Sequence, residues 1–260
     1  MTMIYTPRGK AREYSPLALN LYLGCTHACK YCYAPGCMQK TREAYYAKPA
    51  PRSKVIEGLK KELSKQVPKE QILMSFIGDP YTDATDDNSI TREALEILAD
   101  SHAPVAILTK AGKKCLKDLD VFKRFGEHIQ IGATLTFDNE KDSLEWEPGA
   151  ALPEDRLETL RILHENGVRT FASFEPVIIP AQSLSLMSDG LDYIDVYKIG
   201  KINNYGGIDK KIDWTKFLNE TVDLLRGAGK QFYIKHDLRL AAPSIRLYGN
   251  EVLQDEHNAQ

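Results

Sequence analysis

Seven short apolar runs alternate with amphipathic runs along almost the whole chain. The apolar runs predict β-strands over residues 17–23, 71–77, 104–109, 128–136, 170–179, 193–199 and 231–235. Strands that alternate with helices at this spacing form a parallel sheet with helical crossovers. About six to seven such strands in 260 residues predict an α/β fold, namely a partial or near-complete TIM-like (β/α) barrel.

No linker, repeat or low-complexity run divides the chain. We therefore expect one barrel domain over residues 1–237 and a C-terminal tail over residues 238–260, whose polar end at 254–260 is expected to fray. The N-terminus lacks the apolar segment of a signal peptide, and no apolar run is long enough to span a bilayer. We expect a cytoplasmic protein with no membrane partner.

Four of the five cysteines lie within thirteen residues. Clustered cysteines in a cytosolic protein bind metals more often than they form disulfides. Cys25, Cys29 and Cys32 follow the first predicted strand with C-x3-C-x2-C spacing, so three thiolates on one loop can bind three irons of a [4Fe–4S] cluster and leave one iron open. A zinc site with His27 or Cys37 as fourth ligand stays an alternative.

Ionisable side chains lie in or just after the later strands. Glu175 interrupts an apolar strand, and because a buried carboxylate needs a partner, we expect it to point into the barrel toward a ligand. Lys198 and residues 235–237 lie at the ends of the next two strands, where barrels place their ligand contacts. We expect these residues to contribute to a substrate site.

The cysteine loop resembles the signature of the radical S-adenosylmethionine (SAM) superfamily. In that signature, C-x3-C-x-Φ-C, an aromatic residue precedes the last cysteine, and Tyr31 has this place. The flanking sequence reads NLYLGCTHACKYCYAP and is most similar to the branch that includes spore photoproduct lyase. The resemblance covers residues 15–236 and implies that SAM binds the open iron of a cluster held by Cys25, Cys29 and Cys32.

The resemblance also implies a reaction. One electron, from a donor such as flavodoxin or ferredoxin, cleaves SAM at the cluster, and the resulting 5′-deoxyadenosyl radical abstracts a hydrogen atom from the substrate. Arg156 is expected to make a structural or SAM-linked ion pair. The expected cofactor contacts are Tyr31 at the cluster, Gly78 and Asp79 at the amino group of SAM, Lys110 at its carboxylate, Thr134 at the ribose, and Ile178 with Ile179 at the adenine.

The substrate is the part of the reaction that the sequence leaves open. A photoproduct lyase needs a cysteine near the end of the second strand, but residues 73–81 contain none. Tyr81 is therefore our candidate hydrogen donor in its place, and a small molecule or a nucleotide is the favoured substrate. Cys37 is expected to be a buried thiol.

Two other functions remain as hypotheses: a nucleic-acid lesion lyase, and a non-enzymatic iron–sulfur or zinc protein. Local positive charge supports the lesion lyase, because residues 38–70 carry nine Lys or Arg against four Glu. The net charge of the whole chain is −2. This basic stretch is either a solvated helix face or a basic lip beside the site.

Overall fold

The chain folds as a partial (β/α) barrel in the computed structural model, which describes residues 2–84, 86–203, 205–249 and 251. The strands are β1 (Ile4–Tyr5), β2 (Leu17–Leu19), β3 (Tyr22–Leu23), β4 (Ala50–Pro51), β5 (Ile72–Met74), β6 (Val105–Thr109), β7 (Ile129–Thr134), β8 (Arg169–Val177), β9 (Val196–Lys201) and β10 (Gln231–Ile234). The order of strands in the main sheet is β1-β2-β5-β6-β7-β8-β9-β10. In this sheet β1 is antiparallel to β2, and the other seven strands are parallel. This architecture confirms the predicted α/β class and the number of parallel strands.

Helices connect the strands and cover one side of the sheet. They are α1 (Ala34–Cys37), α2 (Arg42–Tyr46), α3 (Val55–Leu63), α4 (Ser89–Asp100), α5 (Leu119–Arg124), α6 (Glu140–Trp146), α7 (Pro153–Glu165), α8 (Pro180–Asp189), α9 (Trp214–Gly227) and α10 (His236–Ala241). Short 3-10 helices occupy Gly9–Glu13, Gly112–Asp118, Gly126–His128 and Ile208–Lys211. Within the described ranges, none of the helices has the length and apolar character needed to span a bilayer.

The longer helices form where apolar residues recur at helical spacing. In α9 the buried residues fall on a single face of the helix, and the Asp213 side chain caps its first turn by accepting a hydrogen bond from the Lys216 amide at 2.9 Å. The buried residues of α9 are Trp214, Phe217, Leu218, Thr221, Val222 and Leu225.

The prediction of one strand over residues 17–23 is wrong, because the structure divides this segment into β2 and β3. Between them, the side-chain oxygen of Asn20 accepts hydrogen bonds from the backbone amides of Phe76 and Ile77, at 2.9 and 3.0 Å. β3 therefore leaves the main sheet and pairs with β4 instead. The short elements β1, β4, α1, α2, α6 and α10 were not predicted, since segments of two to seven residues show little periodicity.

Side chains alternate between two faces of each strand. On the helix side, Ile107, Phe174 and Ile199 belong to two large apolar clusters. The opposite, inner face carries a small cluster formed by Leu73, Ala106, Phe171 and Val196. The same alternation places three predicted site residues on the inner face: Thr134, Glu175 and Lys198.

The described residues of the predicted tail, 238–249 and 251, include contacts with β10. Its first residues belong to α10, and the backbone oxygen of Glu251 accepts a hydrogen bond from the Ile234 amide at 3.0 Å. The Glu251 carboxylate also pairs with Arg226 at 2.6 Å. Residues 252–260, which include the predicted frayed end, lie outside the described residues, and the boundary at residue 237 stays a prediction.

Gly132 provides a test of this packing, because the ring of Phe171 lies against it. A Cβ at Gly132 would lie 2.5 Å from ring atoms of Phe171. We expect Gly132→Ala to lower the free energy of unfolding by about 1–3 kcal/mol, measured by urea denaturation. Gly227→Ala is the control, since nothing lies within 4 Å of a Cβ there. Equal stability of the two variants would contradict the tight inner packing.

Candidate cluster and cofactor site

The loop between β3 and α1 presents the three cysteines. Cys29 is buried, while Cys25 and Cys32 are partly exposed. The Cys32 amide donates to the Cys29 carbonyl at 3.1 Å, and the guanidinium of Arg42 donates to the carbonyls of Cys29 at 2.5 Å and Cys32 at 3.3 Å. These contacts hold the backbone of the loop in place and do not involve its thiols.

The donor set of this loop fits an iron–sulfur cluster. Burial raises the pKa of the Cys25 thiol and raises that of Cys29 to about 12, so the loop must release protons when it binds a metal centre. Three thiols from one loop leave one iron of a [4Fe–4S] cluster open.

The zinc alternative needs a fourth ligand besides the three cysteines. His27, one of the suggested fourth ligands, lies with its Nδ1 atom 3.5 Å from Oδ2 of Asp79. Burial lowers the pKa of His27, which keeps its ring neutral.

Two glycines bring the loop after β5 against the cysteine loop. Gly24 and Gly78 have φ angles of +103° and +83°, in the region that favours glycine. A Cβ at Gly78 would lie 2.7 Å from the carbonyl oxygen of Gly24, and a Cβ at Gly24 would lie 2.7 Å from that of Tyr45. The predicted contact region for the SAM amino group therefore adjoins the cluster loop.

Asp79 is buried and fully engaged with protein donors. Its carboxylate accepts hydrogen bonds from the Tyr81 amide at 2.8 Å, the Thr109 hydroxyl at 2.8 Å and the Lys110 amide at 2.9 Å. These bonds tie the end of β5 to the end of β6. Asp79 thus positions two strand ends, and its contact with the ammonium of SAM stays a prediction.

A buried network joins the cysteine loop to β7 and α7. The Tyr31 hydroxyl donates to Glu147, and Arg156 donates to the same carboxylate at 2.5 Å and to the Thr134 carbonyl at 2.9 Å. Glu147 and Arg156 are each 1% exposed. The pair expected of Arg156 is therefore present, with a partner that the sequence did not reveal, because Glu147 lies in a short polar turn without periodicity.

Two cations face the single carboxylate of Glu147 in this network. Burial raises the pKa of Glu147, but Arg156 and Lys110 lower it by more, so its pKa lies below the ordinary value and the carboxylate is ionised. The Nζ atom of Lys110 lies 5.6 Å from the centre of the Tyr31 ring. The predicted SAM-carboxylate residue thus lies beside the aromatic residue of the cysteine motif.

A row of polar side chains crosses the inner face of the sheet. Strand register pairs Thr134 with Ser173, Ser173 with Lys198, and Lys198 with Tyr233. Strand alternation turns all four side chains to the same face. We call these four residues the inner row.

A second layer lies next to the inner row. Lys235 donates to the two carboxylate oxygens of Glu175 at 2.9 and 2.7 Å. Gly200 lies beside this pair, since a Cβ there would be 2.7 Å from Oε1 of Glu175. Glu175 therefore points into the barrel, and its partner is Lys235.

Tyr14 completes this inner site, although sequence reasoning missed it. Its hydroxyl donates to Glu175 at 2.7 Å and lies 2.6 Å from the Ser173 hydroxyl, while its carbonyl accepts from Lys198 at 3.2 Å. Tyr14 precedes β2 in a segment without regular periodicity, and 161 residues separate it from Glu175. No local pattern could have indicated this contact.

Other candidates lie away from the inner row. Tyr81 packs in a helix-side cluster and donates to Asp118 at 3.0 Å. Ile178 follows β8 directly and packs in the other helix-side cluster, while Ile179 packs partly buried against it. Cys37 is exposed rather than buried as expected, since it lies at the last position of the short helix α1.

Part of the basic stretch has a structural role. Arg42 holds the cysteine loop as described above, and Arg52 donates to the Asn20 carbonyl at 3.0 Å. The stretch does lie beside the cysteine loop. Its arginines at 42 and 52, however, already bind backbone carbonyls, which weakens their support for nucleic-acid binding.

Comparison with known proteins shows the family to which the chain belongs. Residues 19–194 match the radical SAM superfamily, so the chain belongs to that family of enzymes, which use a [4Fe–4S] cluster and SAM. The chain is 35% identical over 162 residues to an uncharacterized protein of Methanocaldococcus jannaschii, covering 62% of this chain and 60% of that protein. An uncharacterized protein of Acidianus two-tailed virus is 25% identical, over 84% of this chain and 83% of its own.

Solved structures share the fold. SuiB of Streptococcus suis bound to S-adenosylmethionine aligns with a TM-score of 0.62 at 15% identity, over 89% of this chain and 53% of SuiB. A single-residue mutant of spore photoproduct lyase aligns with a TM-score of 0.66 at 11% identity, over 88% of this chain and 78% of that one. The chain thus spans only part of these proteins, and the likeness concerns the fold alone.

The buried ion pair leads to a stability prediction. Glu147→Gln leaves the Arg156 guanidinium buried without its counter-charge, so we expect the free energy of unfolding to fall by about 3–5 kcal/mol in urea denaturation. Glu145→Gln is the matched control two residues away. Glu145 makes an exposed pair with Lys30 at 3.1 Å, and its loss is expected to cost less than about 1 kcal/mol. Similar losses in both variants would contradict the role given to Glu147.

Proposed function

We propose that this enzyme cleaves SAM reductively at a cluster bound by Cys25, Cys29 and Cys32, and directs a hydrogen abstraction at a substrate inside the barrel. One observation carries the proposal. The three thiols share one loop, and this loop adjoins the carboxyl ends of parallel strands whose inner face bears the polar inner row.

The cofactors would supply the radical chemistry: an electron passed through the cluster cleaves SAM and yields the 5′-deoxyadenosyl radical. The protein would bind and orient SAM around this point. We assign the backbone of Gly78, with Asp79 behind it, to the amino group and the Lys110 ammonium to the carboxylate. Thr134, the first residue of the inner row, is assigned to the ribose, and the backbone at Ile178 to the adenine.

The substrate would occupy the inner face beside Thr134. Glu175 and Lys198 are proposed to contact it, since both point inward and lie next to the ribose position. Tyr14, and not Tyr81, is the tyrosine that we place beside the substrate, because the Tyr81 ring packs on the helix side of the sheet.

A small molecule or a nucleotide is the proposed class of substrate. Spore photoproduct lyase has been solved with a dinucleoside spore photoproduct, and SuiB with a precursor peptide. The lesion-lyase alternative is less favoured for this chain, because residues 73–81 contain no cysteine and Arg42 and Arg52 are engaged with backbone carbonyls. Flavodoxin or ferredoxin in the cytoplasm is the proposed electron donor.

The cysteine assignment is tested by two substitutions. After anaerobic reconstitution with iron and sulfide, we expect Cys29→Ala to lose the brown colour and to form no 5′-deoxyadenosine from SAM under dithionite, because a cluster ligand is gone. Cys37→Ala, which changes an exposed thiol of the neighbouring helix, is expected to keep both properties. A colourless wild-type protein that holds zinc, or a Cys29→Ala variant that still cleaves SAM, would refute the proposal.

A further inference from the structure

Lys198 is a buried cation whose charge is not balanced by a carboxylate. Its side chain lies on the inner face of β9 and is 8% exposed as a whole residue. Within the described part of the chain, its Nζ atom makes no salt bridge and donates one hydrogen bond, to the Tyr14 carbonyl at 3.2 Å. An ammonium group has three donors, so two remain for another partner.

Two aromatic rings lie near the Lys198 ammonium, and neither carries a charge that neutralises it. Its Nζ atom lies 4.8 Å from the centre of the Phe171 ring and 5.3 Å from that of the Tyr14 ring, both suited to cation–π contact. Burial and the nearby Lys235 lower its pKa to about 8, which still leaves most of the group protonated at neutral pH. A buried cation of this kind is costly unless an opposite charge joins it.

Two carboxylates lie near this layer, and both have other partners. Glu175 accepts both hydrogen bonds of Lys235 and a third from the Tyr14 hydroxyl, while Glu13 accepts from the Tyr233 hydroxyl at 2.8 Å and the His236 amide at 2.9 Å. The charges of Glu175 and Lys235 therefore cancel, and Lys198 forms no ion pair with a carboxylate of the described residues.

We propose that Lys198 binds an anionic oxygen group of the substrate, a carboxylate or a phosphate, at its position between Ser173 and Tyr233 in the inner row. This inference rests on the proposed function, since it places the substrate inside the barrel. It adds that the substrate is an anion and identifies the group that orients it.

The geometry also places that anionic group relative to SAM. Thr134 and Lys198 are two strands apart in the same register. Neighbouring strands are separated by about 4.8 Å, so the backbone positions of Thr134 and Lys198 are about 10 Å apart. A substrate anchored at Lys198 would need only a few atoms to span this distance. Its other end would then lie near the ribose of SAM, where the radical forms.

The test measures binding of inorganic phosphate and of acetate by isothermal titration calorimetry to the reconstituted full-length protein with SAM. We expect one of the two anions to bind the wild type, and the preferred anion distinguishes a phosphate group from a carboxylate. Lys198→Met is expected to weaken that binding about tenfold or more, the loss of one charged hydrogen bond. Lys65→Met, at an exposed lysine, is expected to bind as the wild type does.

Two further measurements keep the inference falsifiable. Methionine in place of a buried cation is usually tolerated, so Lys198→Met is expected to fold, which its thermal unfolding transition checks. Glu175→Gln removes the counter-charge of Lys235 and is expected to tighten anion binding. Binding of neither anion to the wild type, or equal binding to wild type and Lys198→Met, overturns the inference.

A separate assay distinguishes failure of this inference from failure of the proposed function. Formation of 5′-deoxyadenosine by the wild type without any anion reports on SAM cleavage alone, so its failure refutes the proposed function whatever the calorimetry shows. Pyruvate tests an alternative role for Lys198. If borohydride reduction attached pyruvate to the Lys198 amine, this side chain would be a nucleophile. That result would also overturn the anion site.

Discussion

The buried pair between Arg156 and Glu147 connects the parts of the site that lie far apart in sequence. Glu147 also accepts the hydrogen bond of Tyr31, the aromatic residue of the cysteine motif, and Arg156 reaches the carbonyl at the end of β7. A charge pair this deep is stable only when its remaining donors and acceptors are satisfied, as they are here. The position of the cysteine loop relative to the barrel therefore depends on one carboxylate in a short turn.

The sequence predicted those parts of the site that depend on local pattern. Three cysteines within eight residues define a cluster loop without reference to the rest of the chain. A carboxylate inside an apolar strand and a lysine at a strand end likewise mark Glu175 and Lys198 as site candidates. The class of fold followed from the alternation of strands and helices, and the superfamily from the cysteine motif.

Residues in irregular segments could not be predicted in the same way. Glu147 and Tyr14 acquire their roles through contacts with distant strands, and nothing near them in sequence marks them. Tyr81 is a residue whose direction was wrongly inferred from its place in the sequence. Its place after β5 indicated an inward side chain, but the turn after Asp79 directs its ring to the helix side. A turn of a few residues decides such a direction, and strand periodicity does not extend through it.

The site divides into two regions of different electrostatic character. Near the cysteine loop, the charges of Lys110, Glu147 and Arg156 face three thiols that become anionic when they bind a metal. On the inner face, Glu175 offsets Lys235 while Lys198 keeps its charge. Cationic side chains thus lie in both regions, in positions that suit the carboxylate of SAM in the first and an anion in the second.

The contacts of Tyr14 bear on how the protein is made in the cell. The three cysteines and Arg42, which binds two carbonyls of their loop, are synthesised early in translation, because Arg42 follows the last cluster cysteine by ten residues. The Tyr14 contacts with Glu175 and Lys198 span 161 and 184 residues, and Lys235 lies later still. During synthesis the nascent chain consequently presents its thiols to the cell long before the substrate site can close over them.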